Sequence, residues 1–172
     1  MKNGTLLAAV DLGSNSFRLE ICRYSHGLIQ RSEYIKEAVR QGSGLDEDRN
    51  LSKEAMERGW ECLARFAERL AGFKANEVRA VATQTLREAK NRHIFLDKAH
   101  QLLGFPIEVV SGREEARLIY QGVSHFLPQT DERRAVGVHA VRGRRARRSD
   151  RLPRRGGRRA DEVDHLALQV ER

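Results

Sequence analysis

The sequence predicts an α/β fold, a mixed sheet covered by helices with its elements in βββ-α-β-α-β-α order. Three observations carry that prediction. Apolar residues first alternate at every second place and then, between positions 56 and 70, recur every three or four, the periods of strand and helix respectively. Two short apolar runs, at 78–82 and 106–110, each precede a helical stretch, as parallel strands joined by helices do. The surplus charge is also confined to one end. Of the 172 residues, the last 40 hold 13 arginines, no lysine and 5 acids, which accounts for the whole net charge of +8. Residues 1–132 are therefore neutral and long enough for one ordinary core. That neutrality argues against a protein that coats nucleic acid along its whole face.

Each element follows from its residues. Leu6, Leu7, Ala8, Ala9 and Val10 form an unbroken apolar run, as expected of a strand buried on both faces. After a polar turn, Phe17, Leu19 and Ile21 alternate with Arg18, Glu20 and Cys22, the pattern of a half-buried strand. His26-Gly27 signals a turn, and residues 28–39 form a third, more polar strand of an antiparallel meander. Gly42-Ser43-Gly44 breaks the pattern. Ser52 is the expected N-cap of a helix with Met56, Trp60, Leu63, Ala67 and Leu70 on its buried face, ended by Gly72. A strand at 78–82 leads to a helical stretch from about Gln84 that restarts near Asn91 and stops at Gly104. After a strand at 106–110, Ser111-Gly112-Arg113-Glu114 has capping-box spacing. The helix it opens carries Ala116, Ile119, Tyr120 and Val123, and Pro128 closes it. From 137 to 160 neither period survives, and the chain has no internal repeat.

Cys22 and Cys62 stand far apart and lack metal-type spacing, so neither a disulfide framework nor a structural zinc site is expected, and a reducing cytoplasm is the simplest compartment. The first apolar run is broken by Asp11, too early for a signal peptide or a membrane span.

Three segments can carry chemistry. Asp11-Leu12-Gly13-Ser14-Asn15-Ser16 lies between two strands. Glycine and small residues there can point backbone N–H groups at a phosphate, and the acid can hold hydrated Mg2+. An ordinary hairpin turn uses the same residue types. Thr83-Gln84-Thr85-Leu86-Arg87 follows a strand; its hydroxyls and guanidinium suit phosphate, or simply cap a helix. Glu114 is accounted for by the capping box, whereas Glu115 can act as a general base toward water, although acids in a first turn also favour the helix dipole. The six histidines show no metal-ligand spacing, and there is no P-loop.

Together these segments resemble one family. Residues 11–17 (Asp-Leu-Gly-Ser-Asn-Ser-Phe) are similar to the first phosphate loop of the exopolyphosphatase / guanosine pentaphosphate phosphohydrolase (Ppx/GppA) family. Residues 81–87 resemble its second signature and residues 106–120 its third, so the likeness runs from about Ala8 to Pro128. It implies an RNase H-like lobe of the actin, sugar kinase and Hsp70 ATPase fold, with the active site in a cleft between two lobes. It also implies that Gly13, Ser14, Asn15, Ser16 and Thr83 bind phosphate, Asp11 helps hold Mg2+, Arg87 grips the polyanion and Glu115 activates water. The implied partners are polyphosphate or guanosine pentaphosphate, with no membrane and no specific nucleic acid; family members are often homodimers. Phe17-Arg18-Leu19, where many members have Phe-His-Met, leans toward polyphosphate.

The resemblance then stops. Arg133-Arg134-Ala135-Val136 begins the next family strand, but the second phosphate loop, of the form Asp-Ile-Gly-Gly-Gly-Ser-Thr-Glu, is absent. The expected organisation is a lobe at 1–132 and an irregular arginine-rich tail at 133–172 that replaces the second lobe, as out-of-frame translation of a GC-rich gene would produce. Half a cleft encloses no transition state, so the chain alone is expected to be inactive or very weak. A phosphate-binding remnant without catalysis is one alternative. A nucleic-acid tether is another, set back by the tail's lack of aromatics, lysines and a helical face.

Overall fold

The computed structural model describes residues 2–126 and two short segments, 135–136 and 170–171, with side chains as far as Gln121. The chain divides into two compact units, residues 1–115 and 116–172. In the first unit, β1 (Leu6–Leu12), β2 (Phe17–Ser25) and β3 (Leu28–Glu37) form the expected antiparallel meander. His26 and Gly27, at φ 49° and 82°, turn the β2–β3 hairpin, as a two-residue turn of the primed type requires. Next come α1 (Lys53–Arg69), β4 (Val78–Ala82), α2 (Gln84–Glu88), α3 (Arg92–Leu103) and β5 (Ile107–Val109). The helix α4 (Gly112–Phe126) starts in the first unit and continues into the second. There, β6 (Ala135–Val136) pairs antiparallel with β7 (Val170–Glu171).

The five-stranded sheet has the order β3-β2-β1-β4-β5. β1 pairs parallel with β4, and β4 with β5. Parallel pairing puts the C-terminal ends of these three strands on one edge, where ligands of open α/β sheets bind.

The sheet buries one face. Val10 lies opposite Leu19 and Ala80, Leu12 opposite Phe17 and Ala82, and Ala80 opposite Ile107. All of them are buried in one core with Ala55, Met56, Cys62, Leu63 and Phe66 of α1 and Phe95, Ala99 and Leu103 of α3. Burial alternates along β1, leaving Ala9 exposed and Asp11 half-buried, so the expectation of a strand buried on both faces is corrected. The apolar run masked the alternation because Leu7 and Ala9 sit on the polar face, across from Cys22 and Glu20.

Ser52 caps α1 as expected, its Oγ accepting from the Ala55 N–H at 3.2 Å. The buried stripe is rotated from the expected one: Ala55, Gly59, Cys62 and Phe66 are inside, while Trp60 and Ala67 are half-buried. Gly59 sets this rotation, since a Cβ there would lie 2.7 Å from the Phe95 ring. Glycine lets α3 close on α1. Trp60 then stacks on Phe95 from the margin, with centroids 5.9 Å apart, and donates Nε1–H to its carbonyl at 3.0 Å.

Other boundaries moved little. β3 ends at Glu37 rather than 39, and Val39 is buried in the following loop. Gly104, at φ 77°, caps α3. On α4, Ala116 and Ile119 are half-buried and Tyr120 is 44% exposed. Val123's side chain, Pro128 and the irregular stretch 137–160 lie outside the described residues. Both cysteines are free thiols, and burial with Glu37 close by pushes Cys62 up to about 12. Among the described residues, no helix is long and apolar enough to cross a membrane.

Candidate active site

The parallel edge gathers the residues singled out in the sequence. β1 delivers Asp11 and the 13–16 turn, β4 delivers Thr83, and β5 leads through Val110 and Ser111 into the first turn of α4 with Glu115. The two β1–β4 and β4–β5 crossovers bring segments far apart in sequence to neighbouring strand ends. The Thr83 N–H donates to the Leu12 carbonyl at 3.3 Å, and the Val110 N–H to that of Ala82 at 3.0 Å.

The 13–16 turn is tight. A Cβ on Gly13 would lie 2.8 Å from the Ser16 carbonyl oxygen, closer than any side chain tolerates, so this position requires glycine for space. Ser16 is buried and Asn15 is exposed. A second loop braces the turn: the Arg40 N–H donates to the Asn15 carbonyl and the Gly42 N–H to that of Ser14, both at 2.8 Å. Gly42 is also sterically confined, because a Cβ there would lie 3.2 Å from Thr85 Oγ1 and 3.3 Å from the Ser14 Cβ.

Asp11 is polarised between two environments. Its Oδ2 accepts from Arg18 Nη1 at 3.2 Å, while its Oδ1 is buried with no hydrogen-bond partner. Burial raises the carboxyl's pKa; Arg18 opposes that, and the charge of Glu115 adds to it. A buried carboxylate oxygen without a partner is costly, and a cation relieves that cost directly. Among the described residues, no three His, Cys, Asp or Glu side chains cluster as a metal cage. The donor set therefore suits Mg2+, which binds through one or two carboxylates, waters and substrate phosphates.

Arg87 and Glu115 face each other. Arg87 Nη1 donates to Glu115 Oε2 at 3.2 Å and to the Val110 carbonyl at 2.9 Å, and both side chains are about one-third exposed or less. The same guanidinium lies 3.8 Å from the Cβ position of Gly112. Glu114 donates its N–H to Ser111 Oγ at 3.1 Å, the N-capping contact expected at that position. Thr83 is buried, its Oγ1 directed to the Leu12 carbonyl at 3.4 Å.

All the residues singled out thus lie on one edge. Two features were not read from the sequence. Arg18 was weighed only as a substrate marker, yet it is the counter-ion of Asp11. Gly42-Ser43-Gly44 was read only as a break, although loop 39–44 buttresses the 13–16 turn and buries Gln41 completely. The paired glycines around Ser43 were the one available signal.

Known proteins resemble this chain in sequence and fold. The profile of the Ppx/GppA phosphatase family matches residues 21–137. A guanosine-5'-triphosphate,3'-diphosphate pyrophosphatase of Vibrio vulnificus is 52% identical over 136 residues, 79% of this chain and 27% of the relative. The structure of the Aquifex aeolicus PPX-GPPA enzyme matches with a TM-score of 0.68 at 29% identity, over 73% of this chain and 42% of that one. An exopolyphosphatase from Cytophaga hutchinsonii matches with a TM-score of 0.67 at 27% identity, over 72% and 40% of the respective chains. The chain spans 27% of the length of the Vibrio relative.

Proposed function

The chain belongs to the Ppx/GppA phosphatase family, and we propose that it is the phosphate-binding lobe of a hydrolase that removes a terminal phosphoryl group from a phosphoric anhydride. The observation that carries the proposal is the Arg87–Glu115 pair at the β4 and β5 ends, beside the 13–16 turn and Asp11. Phosphoryl transfer mostly requires positioning and charge neutralisation, and this edge offers donors, a guanidinium, one carboxylate for a metal and one for water.

In this reading the turn 13–16 holds the anhydride, Thr83 ties the β4 end to that turn through the Leu12 carbonyl, and Arg87 neutralises the phosphoryl oxygens. The Val110 carbonyl anchors Arg87 in place, so the guanidinium can exchange its carboxylate partner for phosphate without losing its position. Glu115, released from the ion pair, accepts a proton from water as the water oxygen bonds to the terminal phosphorus and the bridging P–O bond breaks. Asp11 would hold Mg2+, which would supply charge neutralisation to the phosphates.

The terminal phosphate of guanosine pentaphosphate is the substrate supported best, because a relative 52% identical is named for a guanosine-5'-triphosphate,3'-diphosphate. That outweighs the lean toward polyphosphate drawn from Arg18, which is engaged with Asp11. Polyphosphate stays as a second reading through the likeness to the Cytophaga exopolyphosphatase.

A chimera tests both readings. Residues 1–132 are joined to the remainder of the Vibrio relative, and Mg2+-dependent phosphate release is measured from each substrate. The Glu115→Gln chimera is expected to lose about 10²–10⁴-fold in turnover, as removal of a general base does. Full activity in that variant would sink the assignment of Glu115. Faster turnover of polyphosphate than of guanosine pentaphosphate would reverse the order of substrates. The 172-residue chain alone is expected to release phosphate weakly or not at all, because half a cleft does not exclude water.

A further inference from the structure

We infer that the loop bracing the 13–16 turn carries a second anion subsite, lined by Arg40, Ser43 and Arg58, which takes phosphate groups distant from the scissile one on the same substrate. The inference rests on the proposed reading of the 13–16 turn as a phosphate loop and extends it outward.

A cavity of about 460 Å³ lies beside that loop, lined by Ala38, Val39, Arg40, Ser43 and Arg58. It contains two arginines, one hydroxyl and no acidic residue. Seven of the thirteen described arginines are ion-paired with acids: Arg18 with Asp11, Arg31 with Glu20, Arg49 with Glu88, Arg65 with Glu37, Arg69 with Glu33, Arg79 with Glu108 and Arg87 with Glu115. Arg40 and Arg58 have no carboxylate at ion-pair distance among the described residues. Glu54 feels the charge of Arg58 across one helical turn but makes no ion pair with it. Two exposed like charges on one wall repel each other, and an anion between them removes that cost.

The wall is also built rather than incidental. Arg58 reaches from α1 to donate Nε–H to the Val39 carbonyl at 2.9 Å and Nη2–H to that of Arg40 at 3.3 Å. The Ser43 hydroxyl donates to the Arg40 carbonyl at 2.7 Å. These contacts hold Arg40 at φ 51°, ψ 45°, a left-handed conformation that a non-glycine residue adopts only when its surroundings impose it. The same residue donates its N–H to the Asn15 carbonyl at 2.8 Å. The cationic wall and the phosphate turn are thus tied together by a direct backbone hydrogen bond. An anion with several phosphates can occupy both. The shared chemistry is a phosphate ester or anhydride group, and it has two sources, the inner phosphates of a polyphosphate chain or the 3'-diphosphate of a guanosine nucleotide.

NMR titration of the full 172-residue chain distinguishes them. The probes are GTP, guanosine pentaphosphate, tripolyphosphate and a polyphosphate of about 15 units, each with Mg2+. Signals of residues 13–16 are expected to shift with all four. Signals of residues 40–43 and the Arg58 Nε–H are expected to shift with one or both of the longer anions and not with GTP or tripolyphosphate. Arg40→Glu is expected to weaken binding of the longer anion about tenfold at the Arg58 signal, equivalent to about 1.4 kcal/mol, a larger loss than that of GTP at residues 13–16. Arg40→Gln serves as the milder variant if charge reversal unfolds the loop. A response to guanosine pentaphosphate alone assigns the 3'-diphosphate, and a response to long polyphosphate alone assigns the chain. Shifts at 13–16 without any at 40–43 or Arg58 overturn the subsite and leave the phosphate loop standing. Absence of shifts at 13–16 overturns both.

Discussion

The two faces of the five-stranded sheet are made by the same strands yet do different work. On one face Val10, Leu12, Phe17 and Leu19 are at most 1% exposed and pack under α1 and α3. On the other, the register sets Asp11 opposite Arg18, Ala9 opposite Glu20 and Arg79, and Val81 opposite Glu108. Ion pairs link Arg18 to Asp11, Arg31 to Glu20 and Arg79 to Glu108. Asp11 sits between two fully buried residues in sequence and points away from both, because the pleat reverses direction at each step. Stability is concentrated on one face, and the chemically useful carboxylate is carried on the other. A reactive group can therefore be held rigidly without interrupting the core.

The largest expected effect breaks the core face. Phe66→Ala should cost about 3–5 kcal/mol of unfolding free energy, the range for deleting a large buried aromatic, read from urea denaturation. A loss below about 1 kcal/mol would mean that this face is not the stabilising layer. Next comes the turn at the edge. Gly13→Ala forces its new Cβ against the Ser16 carbonyl, and overpacking of that kind costs about 1–3 kcal/mol. Binding of tripolyphosphate, followed calorimetrically, should weaken in parallel; unchanged affinity would detach the turn from phosphate.

A smaller effect appears on the polar face as pH dependence. The folded-state pKa of Asp11 is raised above 3.8 by burial, so the folded state takes up a proton before the unfolded chain does. Its contribution to stability is fully present below 3.8 and is lost as pH rises through the raised value. The difference in unfolding free energy between Asp11→Asn and the parent should accordingly shift in favour of the variant as pH rises through that window. A difference that stays flat with pH would show that Asp11 is not desolvated. The smallest effect belongs to Arg79→Ala, which removes an ion pair whose members are both more than half exposed. It should change stability by less than about 0.5 kcal/mol, within the scatter of a denaturation series; a clear loss would mark the polar face as a second stabilising layer.

Much of this was legible in the residues. The hairpin turn at His26-Gly27, the Ser52 cap and the Gly104 stop were readable because each is a local conformational demand satisfied by one residue type. The rotation of the α1 stripe was not, because it depends on Phe95 entering the space above Gly59, a contact between residues 36 apart. The doubly buried reading of β1 failed for a related reason. Leu7 and Ala9 are apolar but lie outside the described core, and periodicity registers polarity rather than cover. Of the site, Asp11, Gly13, Arg87 and Glu115 were read from spacing and resemblance, whereas Arg18 and Arg40 were not, since their importance comes from what they face.

What the sequence determined by itself is local and periodic: the element order, the caps and turns, and a neutral block distinct from its arginine-rich end. What only the tertiary structure decided is adjacency. Parallel pairing of β1, β4 and β5 brings Asp11, Thr83 and Glu115 to one edge, and loop 39–44 comes to lie against the 13–16 turn. Local preferences are set within a few residues by backbone sterics and hydrogen bonding. Adjacency is set by burial of a shared apolar face, which fixes neighbours without regard to their separation along the chain.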